Sequence, residues 1–250
     1  MSELVKDILY RLADDDLIIG HRNSEWTGMG PVLEEDIAFA SMAQDQIGHA
    51  QSFYRLLHDL GEQEPDQVAF NRKEVDFRSC HFVEWPIQDY AFSLVRHFLY
   101  DSAKYLRLKS LQQSSYTPLA ELSSKLIREV KYPVLHAKTW IKQLGSATEE
   151  SRLRMQSALN EAYPMAMGLF EPTPAEEQLH EAGIAMPEAA LQTIWQSEVE
   201  KVIQDTALKL PEDVDPSPFL GGRQGLHSEH LGPLLKEMTE VFALDTKAKW

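Results

Sequence analysis

Apolar residues recur at intervals of three and four along most of the chain, which is the spacing of one face of an α-helix. Residues 86–112 carry the clearest such stripe: Tyr90, Leu94, Phe98, Asp101, Tyr105 and Leu108. The sequence shows no alternating strand pattern, internal repeat or low-complexity tract. The spacing therefore predicts an all-α fold, with further helices near residues 3–21, 31–60, 117–144, 147–168, 188–208 and 226–242.

Glycine and proline residues mark the ends of the predicted helices. Gly61 and Gly145 follow two of them, and Pro31 suits a first helical turn, where its missing N–H is not needed. Residues 62–83 are polar and irregular, and residues 171–187 have room for one short helix at most. The length of 250 residues suits one large domain or two small ones, and we expect one helical domain over residues 1–250.

The acidic composition limits the classes of partner. The net charge of −15 argues against nucleic acid or an anionic membrane as the main partner. No run approaches the eighteen or so apolar residues of a membrane span, and the charged N-terminus has no apolar signal core. Cys80 is the single cysteine, which excludes an internal disulfide and disfavours a cysteine metal site. We therefore expect a cytoplasmic protein.

Several apolar stripes contain polar side chains at positions where core residues are expected. In chain order they are Asp16, Gln46, His49, Asp101, Glu129 and His136. An ionised carboxylate in a core is costly unless it is paired, hydrogen-bonded or bound to metal. Two interpretations remain open: a metal cluster, or a buried polar network in which these side chains satisfy one another.

The spacing of these residues approaches a two-iron site without completing it. In di-iron helical bundles, Glu and His three residues apart bind metal from one helix face. The Gln46-x-x-His49 segment keeps the histidine but has an amide in place of the carboxylate. Glu129 has no histidine three or four residues further on, and Pro133 should kink its helix by removing a backbone donor. Both departures weigh against a complete site.

A second polar cluster, His227-Ser228-Glu229-His230, precedes the last predicted helix. It has the composition of a metal or acid–base site, but capping of the helix or an interface role explains it equally well. The sequence contains no phosphate-binding loop, dinucleotide fingerprint or nucleophile elbow. This disfavours a nucleotide-binding protein or a hydrolase.

Four segments in order resemble the structural subunits of bacterial phenylacetyl-CoA ring epoxidases, the PaaC-type family: Ser24–Gly28, Asp45–Ala50, Arg128–Tyr132 and Gly225–Pro233. The resemblance covers nearly the whole chain. It implies a ferritin-like antiparallel helical bundle with additional C-terminal helices. Members of this family pair with a homologous catalytic subunit, which holds two irons and uses oxygen to epoxidise the aromatic ring. A separate reductase supplies the electrons.

The resemblance also places the six ligand positions of the catalytic homologue onto this chain, at Asp16, Gln46, His49, Asp101, Val130 and Pro133. Three of them carry residues that cannot complete the site, and Glu129 lies one position out of phase. The resemblance therefore implies no catalytic residue, cofactor or metal in this chain, with the di-iron centre in the partner subunit. The retained histidine and aspartates leave binding of a single residual metal open.

Three hypotheses follow for the function. The first is a non-catalytic partner subunit. The surface that binds its catalytic partner would form a homodimer when that partner is absent. The second is a di-iron oxygenase that acts by itself with an altered ligand set. The third is a helical scaffold or ferritin-like storage protein, which would need a working carboxylate site. The substitutions at Gln46, Val130 and Pro133 favour the first hypothesis.

Overall fold

The computed structural model describes residues 2–246, which form α-helices joined by loops and short 3₁₀ turns. No β-strand occurs within this range, so the predicted all-α, ferritin-like class of helical bundle is confirmed. The α-helices are α1 Ser2–Ser24, α2 Leu33–Asp59, α3 Pro65–Phe70, α4 His81–Glu84, α5 Tyr90–Leu111, α6 Thr117–Glu129, α7 Lys131–Leu144, α8 Glu149–Ala166, α9 Glu176–Glu181, α10 Glu188–Gln204 and α11 Leu231–Thr239. The 3₁₀ turns are Glu74–Asp76, Met167–Phe170, Ser217–Phe219, Gly222–Gln224 and Phe242–Leu244.

The predicted helix over residues 117–144 is interrupted at Val130, which separates α6 from α7. Pro133 explains the interruption, because it has no N–H to donate to the carbonyl of Glu129. Val130 keeps near-helical backbone angles (φ −71°, ψ −13°), so the two helices are joined by a kink rather than by a loop. The kink expected from the sequence is thus present.

Several predicted boundaries differ from those of the structure. Residues 62–83 are not wholly irregular, since they contain α3 and the start of α4. The second helix begins at Leu33, so Pro31 precedes it. The last helix begins at Leu231 rather than near residue 226, which leaves the His227–His230 cluster in a loop.

The chain forms two compact units. The first comprises residues 2–86 and 221–246. Its main helices, α1 and α2, run antiparallel, because Lys6 approaches Glu62 while Gly20 approaches Ala43. A Cβ on Gly20 would lie 2.8 Å from the Cγ1 atom of Ile47, so glycine permits the close packing of the two helices.

The second unit comprises residues 87–220 and is built around α5. This helix is buried without a break from Ala91 to Lys104 and packs against α6, α7, α8 and α10. From α10, Trp195 donates its ring N–H to the carbonyl of Leu99 at 3.0 Å and stacks on Tyr163. A central helix buried on every side explains why its polar residues need internal partners. Among residues 2–246, no helix is long and apolar enough to cross a membrane.

Candidate functional site

The six positions that the resemblance aligns with metal ligands fall three in each unit, and all six side chains are buried. Asp16, Gln46 and His49 belong to the first unit and are at most 3% exposed. Asp101, Val130 and Pro133 belong to the second unit. The predicted inward orientation of Asp16, Gln46, His49 and Asp101 is therefore confirmed.

The inward orientation expected for Glu129 is wrong. Glu129 is exposed, and the adjacent Val130 takes the buried position. The buried face continues through Pro133 and Ala137 into α7, one residue out of phase with the predicted stripe. His136 is consequently only half-buried. Glu129 thus lies outside the buried set that the sequence suggested.

Asp16 follows two acidic neighbours on α1 that each form a separate ion pair. Asp14 accepts hydrogen bonds from the Tyr54 hydroxyl at 2.6 Å and from the guanidinium of Arg72. Asp15 pairs with both terminal nitrogens of Arg223, at 2.8 and 2.7 Å. Successive side chains on a helix point about 100° apart, so the neighbouring carboxylates face different partners. Asp14 and Asp15 therefore stabilise the first unit.

Gln46 is held by a hydrogen bond that occupies its only metal-binding atom. Its amide oxygen accepts from the side-chain nitrogen of Asn23 at 2.9 Å, and both residues are buried. The other end of the Gln46 amide is an N–H donor, which cannot bind a cation. A carboxylate at this position would have offered two oxygens to a metal, whereas the amide is committed to α1.

Asp101 belongs to a chain of titratable side chains in the second unit. Its carboxylate lies 2.5 Å from Nδ1 of His97, and Nε2 of His97 lies 3.3 Å from Nδ1 of His136. Asp101 and His97 are almost completely buried, whereas His136 is half-buried. The sequence pattern points to Asp101 and His136 but not to His97, which lies four residues before Asp101 on α5.

The side chains at the six aligned positions do not supply the ligand atoms that a di-iron centre needs. Val130 and Pro133 supply no ligand atom, and the oxygen of Gln46 is already bonded to Asn23. Across residues 2–246, no group of three or more His, Cys, Asp or Glu side chains is placed to hold a metal ion.

A buried polar cluster lies at the loop that carries His227 and Ser228, and we call it the Glu84 cluster. Glu84 accepts hydrogen bonds from Ser79 Oγ at 2.9 Å, from Ser228 N at 2.9 Å and from Ser228 Oγ at 2.7 Å. Nδ1 of His227 lies 2.7 Å from the same carboxylate, and Nε2 of His227 lies 3.1 Å from the carbonyl of Phe77. Both ring nitrogens of His227 thus lie within hydrogen-bond distance of oxygen atoms.

The hydrogen bonds of the Glu84 cluster hold the loop in place and do not form a nucleophile site. Burial alone would raise the pKa of Glu84, but hydrogen bonds from His227 and Ser228 outweigh it and lower that pKa. The Ser228 hydroxyl donates to the Glu84 carboxylate and not to His227, so these residues do not form the serine–histidine pair of a nucleophile site. Arg22 adds hydrogen bonds to the carbonyls of Glu84 and His230, at 2.9 and 3.2 Å. The cluster thereby ties the loop to α1 and α4.

This geometry corrects one expectation for the His227–His230 segment, the capping of the last helix by Ser228. Ser228 does not cap α11, because the residue before this helix is His230 and no side chain caps it. His230 instead packs its ring edge-on against Trp85, with ring centroids 4.5 Å apart. Sequence reasoning missed Glu84, the acceptor at the centre of the cluster, because it lies in a four-residue helix with no long stripe.

The fold defines a class: an all-α, ferritin-like helical protein. Residues 2–250 match the family described as Phenylacetic acid catabolic protein, and the chain belongs to that family. It is also 34% identical over 229 residues to one of the subunits of 1,2-phenylacetyl-CoA epoxidase from Escherichia coli (strain K12). That similarity covers 91% of this chain and 92% of the relative.

Proposed function

We propose that this chain is a non-catalytic subunit of a multicomponent di-iron monooxygenase that epoxidises the aromatic ring of phenylacetyl-CoA during phenylacetate degradation. The name of the Escherichia coli relative supports this, since it is a subunit of a 1,2-phenylacetyl-CoA epoxidase. In this proposal a homologous catalytic subunit holds the two irons, and a reductase supplies electrons. We place the complex in the cytoplasm, a reducing compartment that suits the free, buried Cys80.

The hydrogen bond between Asn23 and Gln46 is the observation that carries the non-catalytic role. It holds a neutral amide, with its oxygen occupied, at a position where a di-iron protein needs a carboxylate. The buried apolar residues Val130 and Pro133 support the same reading at two further positions. In this role the chain binds and supports its partner, and its own residues carry no step of the reaction.

Exposed apolar side chains near the start of α2 support association with another subunit. Met29, Val32, Leu33 and Ile37 lie within nine residues of one another, and each is at least half exposed. Apolar side chains grouped on a surface are typical of protein interfaces. A stable subunit interface buries on the order of 2,000 Å² or more, and these four residues would form part of it.

Reconstitution with one component omitted tests the proposal. The catalytic homologue, the reductase and this chain are purified separately, and epoxidation of phenylacetyl-CoA is measured with and without this chain. We expect oxygen-dependent turnover only when all three are present. Full solubility, iron content and turnover of the catalytic subunit without this chain would overturn the supporting role.

Metal analysis separates this proposal from the alternative of a self-sufficient oxygenase with an altered ligand set. The isolated chain is incubated with ferrous iron, desalted and analysed for bound metal. We expect no stoichiometric two-iron centre, because the donor sets are incomplete. Two tightly bound irons together with turnover by this chain alone would establish the alternative.

A paired set of variants tests the surface at the start of α2. Leu33→Glu with Ile37→Glu adds two charges to exposed apolar positions and should weaken binding to the catalytic subunit without lowering the unfolding midpoint. The control is Gln44→Glu with Gln51→Glu, which adds the same charge to exposed positions of the same helix. Equal binding by both variants, measured by calorimetry, would remove this surface from the interface.

A further inference from the structure

A groove of about 520 Å³ opens in the second unit, and its lining includes none of the six aligned positions and no residue of the Glu84 cluster. Its lining comes from α5, α7 and α10: Ser102, Tyr105, Leu106, Lys109, Lys131, Val134, Leu135, Lys138, Ile194 and Glu198. Sites for small organic ligands have volumes of about 300–1,000 Å³. The groove is therefore large enough for a molecule of cofactor size or for a substantial part of one.

The charge of this lining is opposite to that of the chain. Lys109, Lys131 and Lys138 face a single acidic side chain, Glu198, whereas the whole chain carries a net charge of −15. Glu198 already pairs with Lys201 at 2.7 Å. That pairing lowers the pKa of Glu198, and the nearby charges of Lys138 and Lys109 contribute further. Within residues 2–246, the three lining lysines form no ion pair of their own, so they are available to an anion.

The remainder of the lining combines an apolar wall with one unsatisfied hydroxyl. Leu106, Val134 and Ile194 form part of the wall, and Ile194 is 42% exposed. Ser102 is only 5% exposed, and its hydroxyl has no hydrogen-bond partner among the described residues. Buried hydroxyls are nearly always paired, so an unpaired one in a groove lining indicates a missing partner. A hydroxyl can serve either as donor or as acceptor to a ligand.

We propose that this groove binds an organic phosphate. Its phosphate groups lie against Lys109, Lys131 and Lys138, and its apolar part lies against the wall. Lysine binds phosphate as a point charge, and three ammonium groups suit a ligand with several negative charges better than a single carboxylate. The proposal goes beyond the subunit function, because it concerns binding by this chain alone.

Titration calorimetry on the purified full-length chain tests the proposal directly. The probes are coenzyme A, ADP, inorganic pyrophosphate and phenylacetate, each measured at about 50 and about 300 mM salt. We expect coenzyme A and ADP to bind saturably and more weakly at the higher salt. Pyrophosphate should bind more weakly because it lacks an apolar part, and phenylacetate should bind weakest because it carries one charge. No saturable binding of coenzyme A or ADP below about 10 mM would overturn the proposal.

Two double variants with the same change in charge locate the binding. Lys131→Gln with Lys138→Gln removes two lining lysines and should weaken coenzyme A binding by about tenfold or more. Lys125→Gln with Lys142→Gln removes two lysines of α6 and α7 that do not line the groove, and should change the affinity by less than about twofold. Equal weakening by both variants would show general charge attraction and overturn the site.

Ser102→Ala separates a contact with ligand from a structural role. It removes an unpaired buried hydroxyl, so the unfolding midpoint should stay the same or rise, while coenzyme A binding should weaken several-fold. Unchanged binding would overturn the role given to Ser102, and phenylacetate binding as tightly as coenzyme A would overturn the phosphate assignment. None of these measurements needs the partner subunit, so they fail or succeed separately from the proposed function.

Discussion

Removing the Glu84 carboxylate should cost the first unit much of its stability. Glu84 is completely buried and accepts hydrogen bonds from Ser79, His227 and Ser228. Glu84→Ala leaves these donors without their acceptor and leaves the buried His227 without its carboxylate partner. Breaking a buried ion pair by removing one partner costs about 3–5 kcal/mol, and we expect a loss of that size.

Glu84→Gln should cost less, because the cluster can adjust to a neutral amide. The amide oxygen can accept from Ser228, while the amide nitrogen faces Ser79 and His227. A neutral His227 can then accept at Nδ1 and still donate from Nε2 to Phe77. One charge-assisted hydrogen bond becomes a neutral one, so we expect the free energy of unfolding to fall by about 1–2 kcal/mol.

The cost of Glu84→Gln should also depend on pH. The pKa of Glu84 in the folded protein lies below its ordinary value of 4.5. Its contribution is therefore present above pH 4.5 and lost as the pH falls through the folded value, since the unfolded state then binds more protons. The difference between wild type and Glu84→Gln should shrink between pH 7 and about pH 3.5.

Urea unfolding followed by circular dichroism measures these differences, with Glu121→Ala as the control at an exposed position of α6. We expect the control to change the free energy of unfolding by less than about 0.5 kcal/mol. A loss below about 1 kcal/mol for Glu84→Ala would refute the burial argument. If the free energies of unfolding of wild type and Glu84→Gln differ by the same amount at every pH, the assignment of an ionised, hydrogen-bonded carboxylate is refuted.

Two further substitutions probe buried polar side chains at positions that the resemblance aligns with metal ligands. Asp101→Ala leaves the buried His97 without its carboxylate and should cost about 1–3 kcal/mol in urea unfolding, so an unchanged midpoint would count against this pairing. Gln46→Glu puts a carboxylate beside Asn23 in a buried position, where burial raises its pKa above the unfolded value. Its stability relative to wild type should therefore decrease as the pH rises from 5 to 8, and an unchanged difference would contradict the burial of this side chain.

The break between α6 and α7 shows how far local sequence signals reach. Pro133 predicts a kink because the defect it causes lies within one turn of the helix. The helical phase predicted across the kink is one residue out of place, because it puts Glu129 inside where the structure buries Val130. A periodic pattern that spans a helix break cannot determine the new phase, because neighbouring elements set it.

The apolar spacing by itself determined that the chain is helical and that Asp16, Gln46, His49 and Asp101 lie on buried faces, because both properties follow from the 3.6-residue period. Only the tertiary structure decided what those faces meet. Glu84 and His227 are 143 residues apart, and the lining lysines of the groove come from separate helices. A periodic pattern reports which side of a helix is buried, but the partner is chosen by packing between elements that are distant in sequence.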